Sequence, residues 1–522
     1  MRPTGRAGST PFPASPRRPM IPPMFVSILP KFQAPSVGWL CWVALGLLLA
    51  GQASAQTAPE LTDRQLTFLE SAGRGRFSGR WIEANSNELT ALRLKADGYQ
   101  AEIPKDHLVG GLIVSRRYTD ATRTQSVAYE SLESSAGLTG FYLTAMAYWF
   151  SVDLKPQALE RIRDSLTGLE NIATVSGRHG HLAAFAASAS DPLYKATYAG
   201  IGGEDPDRPG FGRLAQPGSA GQVWIGGASR ETYSAVILGL ATVHKRIREP
   251  RIRQRASNLI DQIIVRLEQD DWRITDGKQQ LEFVTPLLRA AILRAGASAN
   301  PGRYTKKYEA AAKIALEYPT PTAPLYGDPR ASLLNLANLV TLTSLETNET
   351  RSLGFQNRLT QVWRKNGNEL NPWIAMAYVN AFDRPPNDML ATATLQGVLQ
   401  LYPPAPRWQR AAAPIASNHP VVVANGRTWS RNARLLHQLG SGAFAWENSP
   451  RDLTPGIDAP ITHSGVDYLT LFWMARDSGI VQNEDSPRTD SSPSRSRPES
   501  MRPKPFSAPG ATNKAGIRPP AR

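Results

Sequence analysis

Cysteine is almost missing: the 522-residue chain has one, Cys41. No intramolecular disulfide can form, and a thiol nucleophile or a Cys-based zinc site is excluded wherever Cys41 is removed or distant. Several short catalytic signatures are missing too. There is no Gly-x-Ser-x-Gly elbow, no P-loop, no dinucleotide fingerprint and no HExxH, so the sequence offers no standard address for those chemistries. Asp270 and Asp271 precede Trp272 but lack the further aspartates with which a helical terpene cyclase would hold a metal-bound diphosphate. No cofactor and no metal is expected. Acidic side chains are outnumbered, for a net charge of +15. Much of that excess is terminal: residues 1–35 carry five basic and no acidic groups, and residues 484–522 carry eight and four. The remainder is spread along helices beside acidic residues, with no basic patch interleaved with aromatics, so no nucleic-acid partner is expected.

One long uncharged run is present, Val37–Ala55, VGWLCWVALGLLLAGQASA. A basic flank, an apolar run and a small-residue exit are the parts of a secretory signal peptide, with cleavage expected after Ala55. A start at Met20 or Met24 would leave a leader of ordinary size. The run is short for an uncleaved anchor, and no stable membrane span is expected after cleavage. Cys41 heads the run instead of following it, so lipidation is not expected. The mature chain would be cysteine-free and exported, to a bacterial periplasm or beyond, where a large core stands without disulfides. The Ser-, Pro- and Arg-rich tail, 481–522, reads as disordered.

Between the ends the apolar spacing predicts helix after helix. The spans are Tyr129–Phe150, Lys155–Val175, Ser229–Ile247, Pro250–Leu267, Glu282–Ala295, Tyr304–Leu316, Arg330–Leu345, Leu353–Arg364, Pro372–Phe382, Met389–Leu401 and Asp467–Asp477. Gly137 and Gly140 interrupt the stripe of the first. Two parts break the rhythm. Residues 76–118 contain LTALRLK and GGLIVSR, which read as strands or an N-terminal arm, and 419–461 reads as loop and strand. The implied organisation is a leader at 1–55, a partly strand-like arm at 56–128, a helical-hairpin body at 129–480 and the tail.

The junction Trp224–Leu240, WIGGASRETYSAVILGL, gathers polar groups where a Gly-rich loop enters a helix. Ser229 is placed to cap it, and Arg230, Glu231 and Tyr233 occupy its first turn. A carboxylate there is stabilised by the helix dipole without any catalytic duty. Glu130 and Glu133 fall at i, i+3 of a predicted helix and would share a face. His179 and His181 lie in the turn RHGH, where no nearby Cys, Asp or Glu completes a metal site. Trp149, Trp224, Trp272, Trp373, Trp408, Trp446 and Trp473 recur near predicted helix ends. Large aromatics there serve the core or stack on a ligand, and Trp224 is the foremost ligand-facing candidate.

The segments LTGFYLTAMAYWF, ALERIRDSLTGLENIATVSGRHGHLA, WIGGASRETYSAVILGL, FAWENSPRDL and VDYLTLFWMAR, in that order, resemble secreted bacterial proteins of the six-hairpin glycosidase superfamily. The likeness covers about residues 130–477. It implies an all-α fold, an (α/α)6 barrel of helical hairpins with short irregular or β decorations, and a polysaccharide or oligosaccharide ligand bound at one mouth by a monomer. Relatives read Ser-Arg-Asp-x-Tyr-x-Gly where this chain has Ser229, Arg230, Glu231, Thr232, Tyr233, Ser234 and Ala235, so the carboxylate is one methylene longer. Glycoside hydrolysis uses two carboxyl groups, and the candidates are Glu130, Glu133, Glu231, Glu282, Glu447 and Asp467, with Glu231 first. A lyase would instead use Tyr or His as base with Arg neutralising a uronate, a list filled by Tyr233, Arg230, His179 and His181. The alternative is an inactive barrel that binds glycan or protein in the envelope.

Overall fold

The computed structural model describes residues 61–482, except 77–78, 202–212, 215–220, 227, 276–279, 320–329, 383–387 and 448. The leader with Cys41 and nearly all of the tail lie outside the described residues. Fourteen helices are described: α1 Asp63–Gly73, α2 Ser86–Glu102, α3 Ser135–Asp153, α4 Pro156–Ile172, α5 Pro192–Ile201, α6 Arg230–Arg246, α7 Pro250–Gln269, α8 Pro286–Ala299, α9 Pro301–Glu317, α10 Arg330–Leu345, α11 Glu349–Asn366, α12 Pro372–Asn380, α13 Met389–Leu401 and α14 Val466–Ser478. None is long and apolar enough to cross a membrane. Their starts are written locally. Proline opens α4, α7, α8, α9 and α12, where its missing N–H costs nothing. Ser229, Thr285, Asn348, Asn371 and Asp388 cap α6, α8, α11, α12 and α13 through their side-chain oxygens.

Burial sorts the helices into two kinds. In α7 one stripe is covered: Ile252, Ala256, Leu259, Ile260, Ile263, Ile264 and Leu267. By contrast α3, α6 and α14 are buried nearly all round, as helices enclosed by other helices must be. Side-chain pairs fix the direction of the enclosed set. The added Cβ of an alanine at position 140 on α3 would meet Ala235 of α6, and one at Gly239 would meet Gly140 and Leu143, so sequence numbers rise together and α3 and α6 run parallel. Phe141 meets Trp373 of α12 at 5.4 Å between ring centroids, while Tyr148 donates to Asn380 Oδ1 at 2.9 Å. Thr470 of α14 donates to Phe141 O at 3.1 Å, and Trp149 stacks on Trp473 at 5.9 Å.

The far ends of six helices are tied to one another. Asn380 donates to Ser344 Oγ at 3.2 Å, Lys245 to Ser344 O at 2.6 Å and Arg294 to Leu345 O. His244 Nε2 lies 3.2 Å from Ser298 O, and Arg246 pairs with Asp477 at 2.8 Å. Helices α3, α6, α8, α10, α12 and α14 thus gather their C-termini at one end, where cationic side chains complement the exposed carbonyls. The intervening helices α4, α7, α9, α11 and α13 return the chain.

The strands are short and decorate this body. They are β1 Leu108–Val109, β2 Leu112–Ile113, β3 Ser115–Tyr118, β4 Ser126–Glu130, β5 Phe185–Ser188, β6 Arg213–Leu214, β7 Gln222–Ile225, β8 Arg273–Thr275, β9 Gln280–Phe283, β10 Arg407–Gln409, β11 Val421–Ala424, β12 Arg427–Ser430 and β13 Ala459–His463. They form an antiparallel sheet β10-β13-β3-β4, a sheet β5-β7-β6 and hairpins β1-β2, β8-β9 and β11-β12.

Three sequence expectations are corrected. LTALRLK is helical within α2: Asn85 and Glu88 form a capping box, and Leu89, Leu92, Ala96 and Tyr99 are buried at helical spacing. The helix expected from Tyr129 begins at Ser135, because Tyr129 and Glu130 pair with Arg116 and Ser115 in β3 and Ser131 turns the chain at φ 59°. Glu282 pairs with Ile274 in β9, ahead of a helix that Thr285 starts. The segment expected as an arm is also packed into the helical body. Lys95 of α2 donates to the carbonyls of Leu399, Gln400 and Tyr402, and Tyr468 OH donates to Leu92 O at 2.8 Å.

Candidate functional site

At the start of α6, Ser229 Oγ accepts from Thr232 N at 3.3 Å, leaving Arg230 and Glu231 in the first turn. Glu282 reaches this turn from the β8-β9 hairpin. Its Oε2 accepts from the Arg230 backbone N–H at 3.1 Å and its Oε1 from Arg230 Nη2 at 3.2 Å, with Nε 3.0 Å from Oε2. Glu282 is therefore both an ion-pair partner and a carboxylate on the positive end of α6. Glu231, the residue after Arg230, is half-buried and makes no hydrogen bond or ion pair with a described residue. Arg230 and Glu282 thus come together from two segments some fifty residues apart as a guanidinium–carboxylate pair, and Glu231 is the next residue of the same helical turn.

Tyr233 is placed differently. It is buried, and its phenolic oxygen accepts from Leu182 N at 3.3 Å. Burial pushes its hydroxyl up to about 12, which disfavours the phenolate a base would need. It braces the segment that carries His181. That histidine is 2 % exposed and lies edge-on to Trp224 at 6.3 Å; Trp224 is 7 % exposed and paired with Ala186 in β5. The indole is packed inside the body instead of being offered at a surface. His179 is exposed in the turn that precedes His181. Gly180 follows at φ 81°, its Cα against Gln262 O of α7, where a Cβ would come within 2.0 Å.

The other carboxylates stand apart in their environments. Glu130 accepts from Arg117 Nε at 2.6 Å across the β3-β4 pair, and Glu133 is exposed in the short turn before α3. The two do not share a helix face, since Glu130 is in a strand. Glu447 is half-buried in the short helical turn Ala445–Glu447. Asp467 is fully buried at the start of α14. It accepts from Arg407 Nη1 at 2.7 Å, from Ala445 N at 2.7 Å and from Tyr402 OH, a closed arrangement that leaves it no route to solvent. Six of the seven tryptophans singled out are buried, Trp408 being half-buried.

Sequence reading missed Arg407, Lys95 and the buried pair Glu369–Arg451 (Nη2–Oε1 2.8 Å). Arg407 lies 60 residues from Asp467, Arg451 82 from Glu369 and Lys95 304 from Leu399, and no spacing rule marks such pairs. Among the described residues no group of three or more His, Cys, Asp or Glu is placed to hold a metal ion. Comparison with known proteins finds no family model that matches the chain and no curated protein with significant similarity to it.

Proposed function

We propose that the chain is an exported carbohydrate-active protein that hydrolyses or cleaves a polysaccharide, with Glu231 as its acid–base group. In this reading α3, α6, α8, α10, α12 and α14 are the inner helices of an (α/α)6 barrel, with α2 as the sixth outer helix. The ligand enters at the mouth formed by the inner N-termini, opposite the end where their C-termini are bonded together. The observation that carries the reading is the unpaired, half-buried Glu231 at the start of α6 beside the Arg230–Glu282 pair. Glycoside hydrolysis uses two carboxyl groups, here Glu231 and Glu282, and in this reading Arg230 meets an acidic or hydroxylated sugar. The signal-like leader supports a periplasmic or secreted location.

The test is a panel of neutral and uronic polysaccharides incubated with the mature protein, with reducing ends and unsaturated-uronate absorbance read together. New reducing ends without that absorbance identify a hydrolase; both together identify a lyase. Saturable binding without either product assigns the chain to the binding class, an inactive barrel, and overturns the catalytic reading.

A further inference from the structure

Away from α6, a surface cavity of about 400 Å³ is lined by Arg74, Arg76, Arg431, Arg451, Asn368 and Asn432. Its walls come from four stretches: the end of α1, the turn between α11 and α12, the loops flanking β11 and β12, and the turn that carries Arg451. They are bonded into one frame. Ala433 N donates to Gly73 O at 3.1 Å, Arg431 N to Pro420 O at 2.9 Å, and the Arg451 guanidinium to Arg431 O.

The charges on this frame do not balance. Arg451 is held from behind by Glu369, at 2.9 and 3.0 Å from Nε, both side chains 6 % exposed. Arg74 shares an exposed i, i+4 contact with Glu70 at 3.3 Å, a pair of little strength in water. The exposed guanidiniums of Arg76 and Arg431 meet no carboxylate and make no side-chain hydrogen bond with a described residue. The side-chain amides of Asn368 and Asn432 are equally uncommitted. Two free planar cations, a third anchored one and two amides converge on one concavity, and no carboxylate is among the lining residues. Guanidinium forks match the oxygen spacing of carboxylate and phosphate, and the volume suits a small, multiply charged molecule or a terminal sugar pair.

We propose that this cavity is a binding site for a ligand carrying two or more neighbouring oxyanion groups, phosphate or carboxylate. Arg76 and Arg431 are its principal contacts, and Arg451 is a fixed charge at its base. The site is independent of Glu231 and of any catalytic role for α6. A phosphate-bearing and a uronate-bearing ligand share this chemistry and differ in spacing.

The full chain is titrated by calorimetry at about 0.15 M salt, where non-specific surface attraction is largely screened, with inorganic pyrophosphate, digalacturonate and neutral maltose. Saturable binding of pyrophosphate or digalacturonate, but not maltose, is expected. The tighter of the two names the ligand's anionic group. The double variant Arg76→Ala/Arg431→Ala is expected to weaken that binding at least tenfold at an unchanged melting temperature, and Lys306→Ala/Lys313→Ala on the exposed face of α9 is expected to leave it unchanged. Absence of binding by both anionic probes, or equal affinity in wild type and the Arg76/Arg431 variant, overturns the assignment. Failure here leaves the polysaccharide assay unaffected, because the two sites share no residue.

Discussion

Gly140→Ala tests the packing that fixes the direction of α6. A Cβ built at Gly140 falls 2.3 Å from Ala235 O, 2.4 Å from its carbonyl carbon and 2.6 Å from Val236 N. All three are backbone atoms of a helix, so no rotamer relieves the overlap. Restoring ordinary contact requires α3 and α6 to part by about 1 Å, which forfeits up to half of each dispersion contact across the seam. Overpacking of this kind costs up to about 3 kcal/mol. Alanine's better helix propensity returns about 1 kcal/mol, leaving a net loss of about 2 kcal/mol. Guanidinium unfolding followed by far-UV circular dichroism measures it, as a lower midpoint at unchanged slope. Gly302→Ala is the control, since its Cβ meets nothing within 4 Å; it is expected to be neutral or stabilising. A Gly140→Ala protein as stable as the parent would refute the close parallel approach of α3 and α6.

Asp467→Asn leaves the buried Arg407 without its charge partner, and truncating one member of such a pair costs about 3–5 kcal/mol; an unfolding midpoint within error of wild type would contradict the closed arrangement at α14. Tyr233→Phe removes one hydrogen bond to Leu182, worth about 1 kcal/mol, and on the bracing reading it lowers stability slightly while turnover stays within a few-fold; loss of turnover at unchanged stability would make the phenol catalytic. Burial pushes the Lys95 ammonium down to about 7 from 10.5. Between those values the unfolded chain binds more protons, so this group's contribution to stability rises with pH, by at most about 1.4 kcal/mol per unit. Lys95→Met is therefore expected to flatten the stability curve from about pH 7 to about pH 9, and parallel curves for the two proteins would count against it.

Helices with a strong local script were legible in the sequence. Arg330–Leu345 and Met389–Leu401 match their expected bounds, and Ser229 caps α6 where the Ser-Arg-Glu pattern placed it. Errors arose where two periods competed. Residues 89–95 alternate apolar and polar over a few positions, yet the capping box at Asn85 and the burial of Leu92, Ala96 and Tyr99 make them helical. Tyr129 and Glu130 extend the apolar pattern of α3 backwards, but pairing with β3 takes them into a sheet. Gly140 read as an interruption of a stripe and is instead the point of closest approach between two helices. The site was legible as a list and not as a geometry. The Arg230–Glu231 neighbourhood follows from adjacency, whereas the Arg230–Glu282 pair and the arginine-lined cavity depend on which distant loops the helical body brings together.

The most direct test of the account is the ratio of kcat/KM for wild type and Glu231→Gln on the polysaccharide that the panel selects, with melting temperatures measured alongside. An acid–base group contributes about 10²–10⁴ in rate. The account predicts a loss of at least about a hundredfold on that scale, with the melting temperature unchanged. Equal turnover by the two proteins would remove Glu231 from the chemistry and leave it as a first-turn carboxylate of α6.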